Sequence, residues 1–372
     1  MNILKRYIKF SCLFLFLVIS SKGIAENDIP LEFKEASPDS NLKINFDLVN
    51  LLLDASVLEM GASKRARGED EQANTGTRLK QSVNRRTDNE GNKFSYEFFK
   101  DNKQRKKLIA VKSYLENLPL DTPLNLYNKR EQLAYWLNLY NVSLINEIVK
   151  EYPKRVLKSF LTGKSSIFDQ RILNVAGVNL SLNDIQHKIL KEQYNSNALI
   201  LYGLYQGIIG GPDIRKEAFT GKNVYELLED NAINFVNSNR GTSVNRKLNE
   251  VRTSYFYLQN SRYFPNFNND LKRHLLLYAN DDITGEIMLA KELKPNITNW
   301  KVTDLYGTTR TFGGGSAMFV LNNNLEFQYD KQSMGKVSGK QLTKLRELMS
   351  VRAKNLGGTS VTVTDLPSED EN

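Results

Sequence analysis

Few residues in this chain could do chemistry, and they are concentrated in two short runs. The sequence holds two histidines, His187 and His274, and one cysteine, Cys12. His187 ends the run Leu180-Ser181-Leu182-Asn183-Asp184-Ile185-Gln186-His187, in which Ser181 and Asp184 have the serine-x-x-acid spacing that starts a helix. At helical period Asp184 and His187 share a face, so the carboxylate could orient the imidazole as a general base acting on water or a substrate hydroxyl. The competing readings are a histidine that ties two helices together, or one that lines a binding cleft. The second run is Leu137-Asn138-Leu139-Tyr140-Asn141. Asn138 and Asn141, three apart, are helical neighbours, and with Tyr140 they would contact a ligand if they lined a cleft or build a structural polar network if enclosed.

The elements that must hold these runs follow from hydrophobic period. Leu133, Trp136, Leu137, Tyr140, Leu144 and Ile148 recur at three-and-four spacing, which predicts a helix over Glu131–Tyr152 stopped by Pro153. Helices are also predicted over Phe46–Leu58, over Arg105–Leu118 with Pro119 ending it, over Lys154–Leu161, over Val224–Val236 and over Asp270–Ala279, the last carrying His274 as a surface histidine. Phe168–Val178 reads as a strand or hairpin leading into the Ser181 helix. The apolar run Ala198–Ile209 is long enough to be buried and is broken by Gly210-Gly211-Pro212. Trp300–Tyr306, Ala317–Leu321 and Leu325–Tyr329 read as short strands, the last two as a hairpin, and Ser338 opens a final helix. Gly163-Lys164-Ser165 is not a phosphate-binding loop, because Lys158 stands where that motif needs glycine.

Three runs, Glu131–Asn141, Asn183–Leu190 and Pro212–Thr220, resemble in order and spacing the domain-of-unknown-function 547 (DUF547) family, and the likeness extends from about Phe46 to Ala279. The resemblance implies a histidine early in a strand-like run and a Cys-Pro pair at its end, a set that suggests a thiol hydrolase. Here Leu201 stands at that histidine position and Gly211 at the cysteine position, while His187 is kept. Gln206 and Arg215 are the polar groups left near that place. The aromatic stretch Val251–Phe267 also has a counterpart in the family, and could be a ligand platform or a core seam.

The fold class expected is α+β: a helix-rich single main domain with a few strands and a small β-containing C-terminal extension. The expected divisions are a signal peptide at 1–25, a flexible segment at 26–45, the DUF547-like domain at 46–280, strands and a final helix at 281–358, and an acidic tail at 359–372. Lys5, Arg6 and Lys9 before the apolar run Phe10–Ile19, with Gly23-Ile24-Ala25 after it, are the signal pattern. Cleavage after Ala25 would leave a periplasmic or secreted chain, not an integral membrane protein, without cysteine. That chain could use no disulfide, thiol catalysis or cysteine-bound metal. Two histidines are too few for a histidine-rich metal site, and no cofactor is expected. Removing the leader's four basic residues lowers the formal charge from +9 to about +5. Thirteen of the remaining basic groups fall between 61 and 107, a stretch that would suit contact with an anionic surface. Nucleic acid is not expected, because aromatic interleaving is missing there. The preferred reading is a non-catalytic envelope protein that binds a ligand or protein partner, with Asn138, Tyr140, Asn141, Gln206 and Arg215 as candidate contacts. The alternative is a hydrolase or transferase using His187 with Asp184 as general base.

Overall fold

The computed structural model describes residues 29–63, 65, 87, 90–246 and 249–305, with short stretches at 320–321, 327–328, 343–344 and 347. The expected signal peptide, the acidic tail and most of the final helix lie outside the described residues.

The first two main helices are α1 (Asp47–Ser56) and α2 (Asn102–Asp121), and the centre of the fold is α3 (Lys129–Glu151). Asn128 caps α3 by accepting from the amides of Arg130 and Glu131. Every residue from Glu131 to Val149 is buried, so the expected apolar stripe is in fact a helix enclosed on all sides. Helix α2, capped by Asp101, runs on through Pro119 rather than ending before it. A proline there cannot donate to the Leu115 carbonyl. The Tyr135 hydroxyl of α3 donates to that carbonyl instead, at 2.9 Å, so the helix continues without an orphaned acceptor.

The strands are short. β1 (Val57–Leu58) pairs antiparallel with β2 (Lys93–Phe94), and β3 (Leu173–Val175) with β4 (Val178–Leu180), the hairpin expected before Ser181. The short helix α4 (Lys158–Leu161) precedes that hairpin. After it the chain winds as a π-helix over Asp184–Leu190 and continues into α5 (Lys191–Gln193). The run Ala198–Ile209 is a 3-10 helix over Ala198–Gly203 followed by a loop, not a strand. Side chains take its backbone groups in place of a neighbouring strand: Asn141 bridges the Gly203 carbonyl and the Tyr205 amide, and Asn231 donates to the Tyr202 carbonyl. Then come α6 (Val224–Val236), β5 (Thr242–Asn245), β6 (Glu250–Ser254), α7 (Tyr255–Gln259), α8 (Phe267–Tyr278), α9 (Asp281–Leu289) and β7 (Leu293–Ile297). They include a three-stranded sheet in the order β5-β6-β7, with β6 and β7 parallel. β8 (Val320–Leu321) pairs antiparallel with β9 (Phe327–Gln328), the pairing that the expected hairpin calls for, and its connection lies outside the described residues. The architecture is α+β and helix-rich, as the sequence predicts.

Two features fix the loop from Gln206 to Asp213. Residues 299–305 thread beside it: the amides of Ile209 and Gly210 donate to the carbonyls of Lys301 and Asn299, and the Thr303 amide donates to Gly207. The same segment bonds to Phe94 and Arg155. Gly207 is at φ +71°, where an added Cβ would lie 2.1 Å from Ile148 Cδ1, so α3 leaves room only for glycine. The second feature is Arg240, of which 2% is exposed. Its Nη2 lies 2.6 Å from Asp213 Oδ2, its Nη1 donates to the Gly211 carbonyl, and its guanidinium sits 5.1 Å over the Phe235 ring.

Several side chains turn inward against expectation. Lys93 is fully buried and Arg65 reaches the Val236 carbonyl, which removes both from any anion-facing surface. Lys64, Arg67, Arg78, Lys80, Arg85 and Arg86 lie outside the described residues. His274 is not a surface histidine: its ring stacks on Tyr202 and its Nε2 is 3.0 Å from the Tyr202 hydroxyl, itself bonded to Tyr257. Phe256, Tyr257, Tyr263 and Phe264 are core, which makes most of the aromatic stretch a packing seam.

Removing one member of the Arg240–Asp213 pair strands a buried charge, so Arg240→Ala or Asp213→Ala should each lower stability by about 3–5 kcal/mol in urea unfolding. A loss below about 1 kcal/mol would mean that the pair does not hold the loop.

Candidate functional site

Ser181 and Asp184 form the predicted capping box. The Asp184 carboxylate accepts from the Ser181 amide and hydroxyl, and the Ser181 hydroxyl accepts from the Asp184 amide, all within 2.9–3.0 Å. The helix that follows is wound wider than an α-helix, with i→i+5 bonds, and helical spacing offers Asp184 two neighbours, His187 at i+3 and Lys188 at i+4. Lys188, not His187, meets it, with Nζ 2.6 Å from Oδ1. Burial alone would raise the Asp184 carboxyl, but the Lys188 ammonium and the Ser181 donors outweigh it and hold the group below the usual carboxylate range. The carboxylate is therefore committed and does not orient the imidazole.

His187 stands on the wall of an open cleft of about 770 Å³. The cleft lies between the loop Leu161–Arg171, the π-helical segment, Gln206, and α7 with the turn after it. His187 is half-buried, and its Nδ1 is enclosed without a hydrogen-bond partner, which leaves Nε2 as the nitrogen available to the cleft. Burial lowers its pKa to about 4, helped by the Arg262 and Lys191 cations and opposed in part by Asp169. The ring is neutral at pH 7.

Gln206 is 7% exposed, and among the described residues its carboxamide bonds to nothing, so it offers a donor and an acceptor to the cleft. Behind it lies Gly211, at which an added Cβ would come within 3.1–3.2 Å of Gln206 Cβ and Oε1. A side chain at 211 would thus press on the residue that forms the cleft wall. Leu201, in contrast, is buried in the core and does not line the cleft.

The structure brings together His187, Asp184 and Gln206 and leaves the other candidates elsewhere. Asn138 bonds both ways to the Phe219 backbone, its Nδ2 donating at 2.8 Å and its Oδ1 accepting at 3.1 Å, and Asn141 spans Gly203 and Tyr205. Both amides are spent on loops around α3, and Tyr140 is buried beside them. Arg215 donates to Asn231 and pairs with Asp230, also outside the cleft. The cleft adds Gln186, Asn260 and Arg262, which the sequence does not single out, and takes Tyr255 from the aromatic stretch. Gln186 donates to Asn260 across 74 positions of sequence, a pairing with no local signature. Among the described residues no three His, Cys, Asp or Glu side chains gather as a metal site, and no helix is long and apolar enough to cross a membrane.

Residues 124–236 match the family model described as "Protein of unknown function, DUF547". No curated protein and no solved structure matches the chain.

Burial holds both histidines at about 4 against an ordinary 6.5. Below about pH 6.5 the unfolded chain binds protons that the fold refuses, so the stability from the neutral rings is complete above that pH and is lost as pH falls towards 4. The thermal midpoint should drop between about pH 7 and pH 5, before most carboxylates titrate, and the double variant His187→Gln/His274→Gln should flatten that slope. An unchanged slope would remove the histidines as its cause.

Proposed function

We propose that this chain, whose residues 124–236 match a DUF547 family model with no activity in its description, is a periplasmic or secreted protein that binds a small polar ligand in the His187 cleft without transforming it. The observation that carries this reading is the pairing of Gly211 with Gln206. Where the family resemblance implies a cysteine there is only a glycine Cα, and the space in front of it is taken by an unbonded carboxamide. A carboxamide is a recognition group, not a nucleophile. The basic leader and short apolar run at 1–25 support export. The exposed Lys103, Arg105, Lys106 and Lys107 at the start of α2 are the described residues best placed for an anionic surface.

The open face of His187 favours a second reading, a general base working on water. A pKa of about 4 makes the ring a weak base at neutral pH, and Asp184 is committed to Lys188 and Ser181, so the binding reading stands ahead.

The test is to incubate the protein with envelope extracts and with peptidoglycan and lipid fragments, following the thermal midpoint and the mass of each recovered component, with His187→Ala in parallel. A component should raise the midpoint and be recovered intact from both forms. Consumption by the wild type, absent in a folded His187→Ala, would replace binding with catalysis.

A further inference from the structure

Most of the charges lining the cleft already have a partner. Lys188 is paired with Asp184, Asp169 accepts from the Asn183 amide at 2.7 Å, and Arg171 donates to the Asn179 carbonyl. Arg262 is exposed on the rim and has no ion pair or hydrogen bond among the described residues. With the His187 ring neutral, the lining carries three cations, Arg171, Lys188 and Arg262, against the carboxylates of Asp169 and Asp184. The surplus is a single positive charge, and it belongs to a guanidinium, whose fork matches a carboxylate. A doubly charged phosphate would leave the cleft with excess negative charge.

The deeper wall has a different character. Gln206 presents an N–H and a C=O in one plane, which is the complement of a peptide group. The Gln186–Asn260 amide pair and Gln259 extend that amide surface towards the turn that carries Arg262. A cleft of about 770 Å³ is within the range that encloses a small organic ligand. We propose, building on the binding reading above, that the cleft takes the carboxyl-terminal end of a short peptide, its carboxylate on Arg262 and its last peptide group on Gln206. His187, neutral and without a hydrogen-bond partner, is then available to the same ligand through Nε2.

Isothermal titration of the full chain with N-acetylated dipeptide acids, their C-terminal amides and inorganic phosphate tests this. The acids should bind, and the matching amides should bind about tenfold more weakly, the scale of one charge-assisted contact. Arg262→Gln should abolish that difference, and because Arg262 is exposed the variant should stay folded. Gln206→Leu should weaken acid and amide alike by about tenfold, through the lost amide contacts. Equal affinity for acid and amide, or binding of phosphate alone, overturns the peptide assignment but keeps the binding reading if Gln206→Leu removes that binding. Failure of every dipeptide acid to bind overturns the assignment too. Cleavage of a bound dipeptide keeps the ligand class and overturns the non-catalytic reading.

Discussion

A single buried guanidinium sets the geometry on which the cleft depends. Arg240 binds the Gly211 carbonyl and the Asp213 carboxylate at once, while its own backbone amide donates to Glu90. Asp213 in turn accepts from the Asn92 amide at 2.7 Å. Segments more than a hundred positions apart are thereby held to one loop, and the loop carries Gln206 at its start. Ion pairs of this kind give little net stability, since desolvation offsets most of the attraction, but they punish any other arrangement. The backbone fits the same constraint: at Gly91, φ +82°, a Cβ would lie 2.9 Å from Arg240 Nη1 and from Asp213 Oδ1.

The second organising choice is to bury polar side chains in the middle of α3. Asn138 and Asn141 each satisfy both halves of their amide on irregular backbone, and Tyr135 supplies the donor that Pro119 withholds from Leu115. Enclosed loops are costly because their backbone groups lose water. Here the central helix replaces that water with side-chain amides and a phenol, which lets non-helical segments approach the core. The cleft wall is built from one such segment.

Long periodic patterns were readable in the sequence, and tertiary exceptions to them were not. The helix around Trp136, the helix at Val224–Val236, the capping box at Ser181 and the antiparallel pairing of β8 with β9 all follow from local rules, and so does the α+β class. The continuation of α2 through Pro119 depends on a hydroxyl from another helix. The wide winding at Asp184–Leu190 has no local signal, and of the two neighbours that helical spacing offers Asp184, His187 and Lys188, the contact goes to Lys188. The inward turn of Lys93 and the stacking of His274 on Tyr202 are likewise settled by neighbours distant in the chain. For the site, His187 and Gln206 were legible as types in the right runs. Arg262 and Asn260 were not, because they reach the cleft through a turn whose aromatic neighbours dominate the local signal.

Residues 299–305 touch Phe94, Arg155 and the Gly207–Gly210 loop through backbone bonds, and so act as a seam sewn last. A ribosome delivers that seam only after every segment it joins has left the exit tunnel. Until then the loop behind Gln206 holds unpaired amides and carbonyls, and the cleft has no finished back wall. Completion of the cleft therefore waits for this one late segment, whatever the state of the helices before it. A chain ending just before residue 299 would contain every helix from α1 to α9 and still lack that wall.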